Sequence, residues 1–214
     1  MSDIERLAGS IIIAGLPHDA GAADFARLEA LGAGGIVLFD RNVGSIEETR
    51  AFVRAARRAI GGDAPALVCV DQEGGRVARL RFRDPGVPSM MALGAADDVE
   101  LAERAGDALA ADLLEIGANV AFAPVLDLAL DARSTVIGTR SFGDDPARAA
   151  RLGAALVRGM QARGVAATAK HFPGHGATPA DSHRDLPVID ASADAVRARE
   201  LVPSSRRSAR ASAP

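Results

Sequence analysis

An α/β fold built on parallel strands follows from three features of the sequence. Short β-branched runs alternate with longer Ala-rich segments, the runs lack internal polar alternation, and polar residues cluster where the runs end. Apolar strands separated by helices indicate a parallel sheet covered on both faces. "SIIIAGL" (10–16) reads as the first strand and 20–31 as the helix after it. "GGIVLFD" (34–40) is a second strand, followed by a helix over 45–60 that opens with a capping box, Ser45 and Glu48. "ALVCVDQ" (66–72) is the third strand. A Gly/Pro-rich loop then leads to a helix over 99–116, with Gly117 placed to end it. "NVAFAPVLDLA" (119–129) is the fourth strand. A helix over 146–163 has Pro146 in its first turn, and "VAATAKHF" (165–172) is the fifth strand.

Two architectures fit this order, an open doubly wound sheet and a closed (β/α)8 TIM-type barrel. Both place ligands at the C-terminal ends of the strands. Charged and polar groups follow four different strands: Asp40-Arg41-Asn42, Asp71-Gln72-Glu73, Asp127 and Lys170-His171. That distribution favours the barrel, whose mouth gathers loops from the whole ring. "AGLPHDAG" lacks the dinucleotide-binding glycine pattern, and no P-loop occurs. A barrel needs eight units and roughly 250 residues; only five are legible here. The expected domain therefore runs over 1–202 as an incomplete barrel, with 203–214, "PSSRRSARASAP", as an irregular tail outside the core.

Composition narrows the function. The 214 residues carry a net charge of -3, which argues against a nucleic-acid partner, and "RRSAR" is only a brief basic patch. Aromatics make up 3%, all of them Phe, so there are no stacking platforms for long polymers. A small polar ligand held by hydrogen bonds and charge suits this chain. Its one cysteine, Cys69, lies in an apolar run and reads as a buried hydrophobe of a reducing compartment. No segment suits a membrane span or a signal peptide, so a cytoplasmic location is expected.

Three stretches carry the chemistry. In "VDQEGGRVARL" (70–80), Asp71 ends a strand, Gly74-Gly75 permits positive φ, and Arg76 and Arg79 offer forked donors. This suits a clamp for sugar hydroxyls or an anion, and equally a turn with a structural salt bridge. "STVIGTRSFGDDP" (134–146) carries Arg140, which taken alone reads as an exposed loop arginine. Asp127 reads as a strand-end acid. "KHFPGHGATPADSH" (170–183) is the densest: Lys170 and His171 end a strand and should point to opposite sides. Asp181 and His183, two apart, share one side of an extended segment. The carboxylate can then orient the imidazole, leaving its other nitrogen to exchange a proton near its ordinary pKa of about 6.5. His171, His175, Asp181 and His183 could instead offer metal ligands, but no strict zinc motif is present. The acid/base reading is preferred.

"VDQEGGRVARL", "NVAFAPVLDL", "GTRSFGDDP" and "KHFPGHGATPADSHRDLPVI" resemble glycoside hydrolase family 3, in its branch of bacterial β-N-acetylhexosaminidases. The resemblance runs to about Val202. It implies a barrel hydrolase that removes terminal N-acetylglucosamine during cytoplasmic recycling of cell-wall muropeptides. Asp71, Arg79, Arg140, Lys170 and His171 match sugar contacts. His183 matches the proton donor and acceptor, and Asp181 its partner on a mobile loop. Neither cofactor nor metal is implied. A retaining glycosidase also needs a nucleophile, usually a carboxylate about 5 Å from the first in the carboxylate-pair geometry. In the family this is an Asp after a later strand, which this chain lacks; Asp127 and Glu73 have no motif support as substitutes. The composition break near Pro203 is what a reading-frame shift in a GC-rich gene produces. We expect an exposed barrel edge prone to association, and little hydrolysis. A sugar-binding or split-enzyme fragment is the alternative, with β-glucosidase as the second choice of substrate.

Overall fold

The computed structural model describes residues 2–62 and 65–205. Five parallel strands form one sheet: β1 (Ile13–Gly15), β2 (Gly35–Leu38), β3 (Leu67–Val70), β6 (Val120–Ala121) and β7 (Ala166–Ala167), in the order β1-β2-β3-β6-β7. Spatial order follows chain order, as repeated βα units require. The third strand is the centre, where Cys69 and Val70 pair with Val37 and Leu38 on one side and with Val120 and Ala121 on the other. Helices α2 (Ala22–Leu31), α3 (Ile46–Ile60), α5 (Val99–Glu115) and α6 (Pro146–Ala162) link the strands. Ile36, Val68, Val70, Leu109, Leu113, Leu152 and Leu156 fill the core between helices and sheet.

The helix ends obey local chemistry. Ser45 and Glu48 form the expected reciprocal cap, Asp98 and Asp145 cap α5 and α6, and Gly117 takes φ 81° just past α5. Helices α5 and α6 approach closely because glycines stand at their contact. A Cβ on Gly106 would lie 2.1 Å from the Leu156 carbonyl oxygen, and one on Gly159 would lie 2.0 Å from that of Glu103. Either side chain would force the pair apart.

Several boundaries differ from expectation. Ser2 caps a helix, α1 (Asp3–Ser10), so the first strand starts only at Ile13. The run 119–129 pairs regularly over only two residues, because Pro124 supplies no N–H to a ladder. Beyond it the Leu126 N–H donates to the Lys170 carbonyl at 2.7 Å, and Val125 and Lys170 form an isolated bridge. The fifth strand likewise stops at Ala167. The segment after Asp71 is a hairpin, β4 (Gln72–Gly74) and β5 (Val77–Ala78), turned by Gly74 and Gly75 at φ 90° and 58°. Two short helices are also present, α4 (Met90–Ala96) and α7 (Ala193–Ala198). Pro203 is buried, and 206–214, most of the expected tail over 203–214, lie outside the described residues.

Strands β1 and β7 are the sheet's two edges. Ile11, at 83% exposure, Ile12 and Ile13 face solvent beside the first. Among the described residues no helix is long and apolar enough to cross a membrane.

Candidate active site

The carboxyl ends of β3, β6 and β7 converge on a set of buried and partly buried charges. Asp71 follows β3, and Glu73 sits in the first strand of the hairpin, 1% exposed. Lys170 reaches both: its ammonium donates to Asp71 Oδ1 at 2.6 Å and lies 2.6 Å from Glu73 Oε1. Arg140, on a 3-10 turn over Gly138–Arg140, forks onto the same Glu73. Its Nε donates to Oε2 and its Nη2 to Oε1, each at 2.8 Å, while Nη1 donates to the Val136 carbonyl at 2.9 Å. Burial opposes the charge on Arg140. Its hydrogen bonds and attraction to Glu73, with Asp127 and Asp71 adding, overcome that and raise its pKa above the ordinary arginine value. Charges removed from water persist only when paired and fully hydrogen-bonded, and this bidentate pair meets the condition.

Two further interactions frame the cluster. Arg79 Nη1 donates to Asp40 Oδ2 at 2.6 Å, with its Nη2 4.0 Å from Asp71. The fully buried carboxylate of Asp127 accepts from His171 Nδ1 at 2.6 Å, from the His171 N–H at 3.2 Å and from the His175 N–H at 2.7 Å. Asp127 therefore fixes both the backbone of the PGHG segment and the His171 ring. With Nδ1 so engaged, Nε2 of His171 is the nitrogen left for a ligand.

Asp181 and His183 form a more exposed rim of the site. Asp181 Oδ1 accepts from the His183 N–H at 3.0 Å and from its Nδ1 at 2.7 Å. This is an Asx-type turn, in which the side chain closes on the backbone two residues on. It replaces the extended geometry expected from the spacing, but joins the same two groups. The bonds from His183, backbone first and ring second, hold the Asp181 carboxyl below the usual carboxylate range. The imidazole is 79% exposed, and its Nε2 can give or take a proton.

All seven residues singled out from the sequence, Asp71, Arg79, Arg140, Lys170, His171, Asp181 and His183, line one cavity of about 420 Å³. That volume suits a monosaccharide-sized ligand. Two expectations need correction. Arg140 is not an exposed loop residue, since Glu73 draws it to 10% side-chain exposure. Lys170 and His171 do not point to opposite sides, because regular pairing has ended before them and alternation no longer applies. Glu73 and Asp127, which have no motif support as substitute nucleophiles, are each sealed among donors. Their role as anchors was not legible from the sequence. The one signal for Glu73 was its place in the Asp-Gln-Glu strand end. Among the described residues no group of three or more His, Cys, Asp or Glu could hold a metal ion.

The model of the glycosyl hydrolase family 3 N-terminal domain matches residues 19–207. A β-hexosaminidase of Pseudomonas aeruginosa is 46% identical over 174 residues, covering 81% of this chain and 51% of that protein. One from Stenotrophomonas maltophilia is 40% identical over 197 residues, covering 89% and 57%. The chain thus spans about half the length of the curated relatives it matches. Among solved structures, a family 3 β-N-acetylglucosaminidase from Paenibacillus superposes with a TM-score of 0.89 at 36% identity, over 100% of this chain and 41% of that one. NagZ from Neisseria gonorrhoeae gives 0.79 at 35% identity, over 90% and 58%. The five-stranded parallel sheet is thus part of the family's barrel domain, and the chain belongs to glycoside hydrolase family 3.

Proposed function

We propose that this chain carries the sugar-gripping and proton-transfer part of a β-N-acetylglucosaminidase acting on cell-wall muropeptides in cytoplasmic recycling. The convergence of seven motif residues on one cavity supports the reading. Asp71, Arg79, Arg140, Lys170 and His171 present fixed donors and acceptors to the hydroxyls and acetamide of a terminal sugar. Specificity follows from such groups being left unpaired when a hydroxyl is missing. His183 delivers a proton to the leaving oxygen through Nε2, and Asp181 holds the other nitrogen and stabilises the imidazolium.

A retaining mechanism also needs a nucleophile on the opposite face of the ring. Each carboxylate lining the cavity is engaged: Asp71 with Lys170, Glu73 with Lys170 and Arg140, and Asp181 with His183. We infer that this chain binds the sugar without turning it over at family-like rates, and that a second carboxylate must be supplied to complete the site. This engagement favours the sugar-binding or split-enzyme reading over a self-sufficient enzyme. Calorimetry should show binding of N-acetylglucosamine in preference to glucose, weakened at least about tenfold, about 1.4 kcal/mol, by Asp71→Ala. A chromogenic β-N-acetylglucosaminide should stay intact. Preference for glucose would overturn the substrate, and rapid hydrolysis by the chain alone would overturn the missing-nucleophile reading.

A further inference from the structure

The hairpin β4–β5 is a thin wall with a cavity on each face. Because strand residues alternate, Glu73, Val77 and Arg79 line the candidate active site while Gln72, Ala78 and Leu80 line a second cavity of about 430 Å³. Arg76, at the tip of the turn, lines both. The two spaces differ in charge. In the first, cations and carboxylates neutralise one another through the pairs described above. The second holds Arg76, Arg81 and Arg83 against a single acid, Asp112, which Arg83 already engages.

Arg76 and Arg81 are aimed rather than paired. Arg76 Nη2 donates to the Thr135 and Val136 carbonyls at 2.7 and 2.6 Å, and Arg81 Nε donates to the Ala78 carbonyl at 3.0 Å. Neither has a carboxylate partner among the described residues. Carbonyl anchoring removes part of the rotamer entropy that ordinarily weakens exposed ion pairs, and it leaves guanidinium N–H groups free for a planar anion. We propose that the second cavity is a subsite for a carboxylate on the aglycone, so that a ligand with a neutral sugar head and an anionic tail lies across the hairpin tip. The assignment rests on the sugar reading above and adds Arg76 and Arg81 as the residues that read the charge of the leaving portion.

The probes are butyl β-N-acetylglucosaminide and the corresponding 3-carboxypropyl glycoside, titrated by calorimetry. At low ionic strength the carboxylate should bind about two- to fivefold tighter, with the advantage shrinking in about 0.5 M salt. Arg81→Gln, on an exposed side chain outside the sugar cavity, should bring the two affinities together, and Arg76→Gln should do the same. Equal affinities in the unaltered chain, or an advantage that survives both substitutions, would overturn the subsite. If neither glycoside binds, the sugar reading fails, and glutarate then tests the anion site alone by NMR of the arginine Nε–H signals. Shifts at Arg76 and Arg81 larger than at exposed Arg54 uphold it; uniform shifts overturn it.

Discussion

The floor and the rim of the cavity are held by opposite kinds of interaction. On the floor, every pairing is long-range: Lys170 meets Asp71 across 99 positions, Arg140 meets Glu73 across 67, and His171 meets Asp127 across 44. These side chains are mostly withdrawn from water. On the rim, Asp181 meets His183 across two positions in an exposed turn. A floor built from remote parts of the chain exists only when the whole sheet is assembled. The rim turn needs nothing beyond its own few residues. On the proposed reading, binding groups held by the whole sheet are served by a proton carrier held only by its own turn, the division expected where binding needs preorganisation and chemistry needs approach.

The sharpest way to break this contrast is at Glu73. Glu73→Gln should lower stability by about 3–5 kcal/mol, because Arg140 is left buried without its counter-charge. Denaturant unfolding would check it, and a loss below about 1 kcal/mol would mean the floor is not electrostatically coupled. Next in size is the seam between the regions. Gly176 passes so close to the fourth strand's continuation that an added Cβ would lie 1.6 Å from the Leu128 carbonyl oxygen. Gly176→Ala should cost about 1–3 kcal/mol through forced displacement, read from the same unfolding curves. By contrast, His183→Ala should change stability by less than about 0.5 kcal/mol and sugar affinity by no more than roughly twofold.

The smallest effect is a pH dependence. The Asp181 carboxyl is depressed in the folded chain, so its bonds to His183 contribute above its ordinary value, about 3.9, and fade as pH falls through the lower folded value. The His183 Nδ1–H signal in NMR should therefore survive acidification to about pH 4. Its disappearance well above that pH would show that the turn does not hold.

The same contrast explains what could be read in advance. Local rules sufficed for the Ser45–Glu48 cap, the Gly117 stop, the strand positions and the pairing of Asp181 with His183. Motif resemblance brought in Asp71, Arg79, Arg140, Lys170 and His171. Nothing in spacing could show that Glu73 joins Arg140 to Lys170, or that Asp127 carries His171, because such partners are set by which strands become neighbours. The lengths of the fourth and fifth strands failed for a related reason. Apolar runs reveal burial, whereas ladder pairing also depends on Pro124 and on where the neighbouring chain diverges.

Cys69 lies in the central strand, wholly shielded, with burial pushing its thiol up to about 11. As the sole sulfhydryl of the chain it is a built-in clock. An alkylating dye can reach it only when the innermost ladder parts, so labelling counts those openings while fluctuations of the outer loops pass unseen.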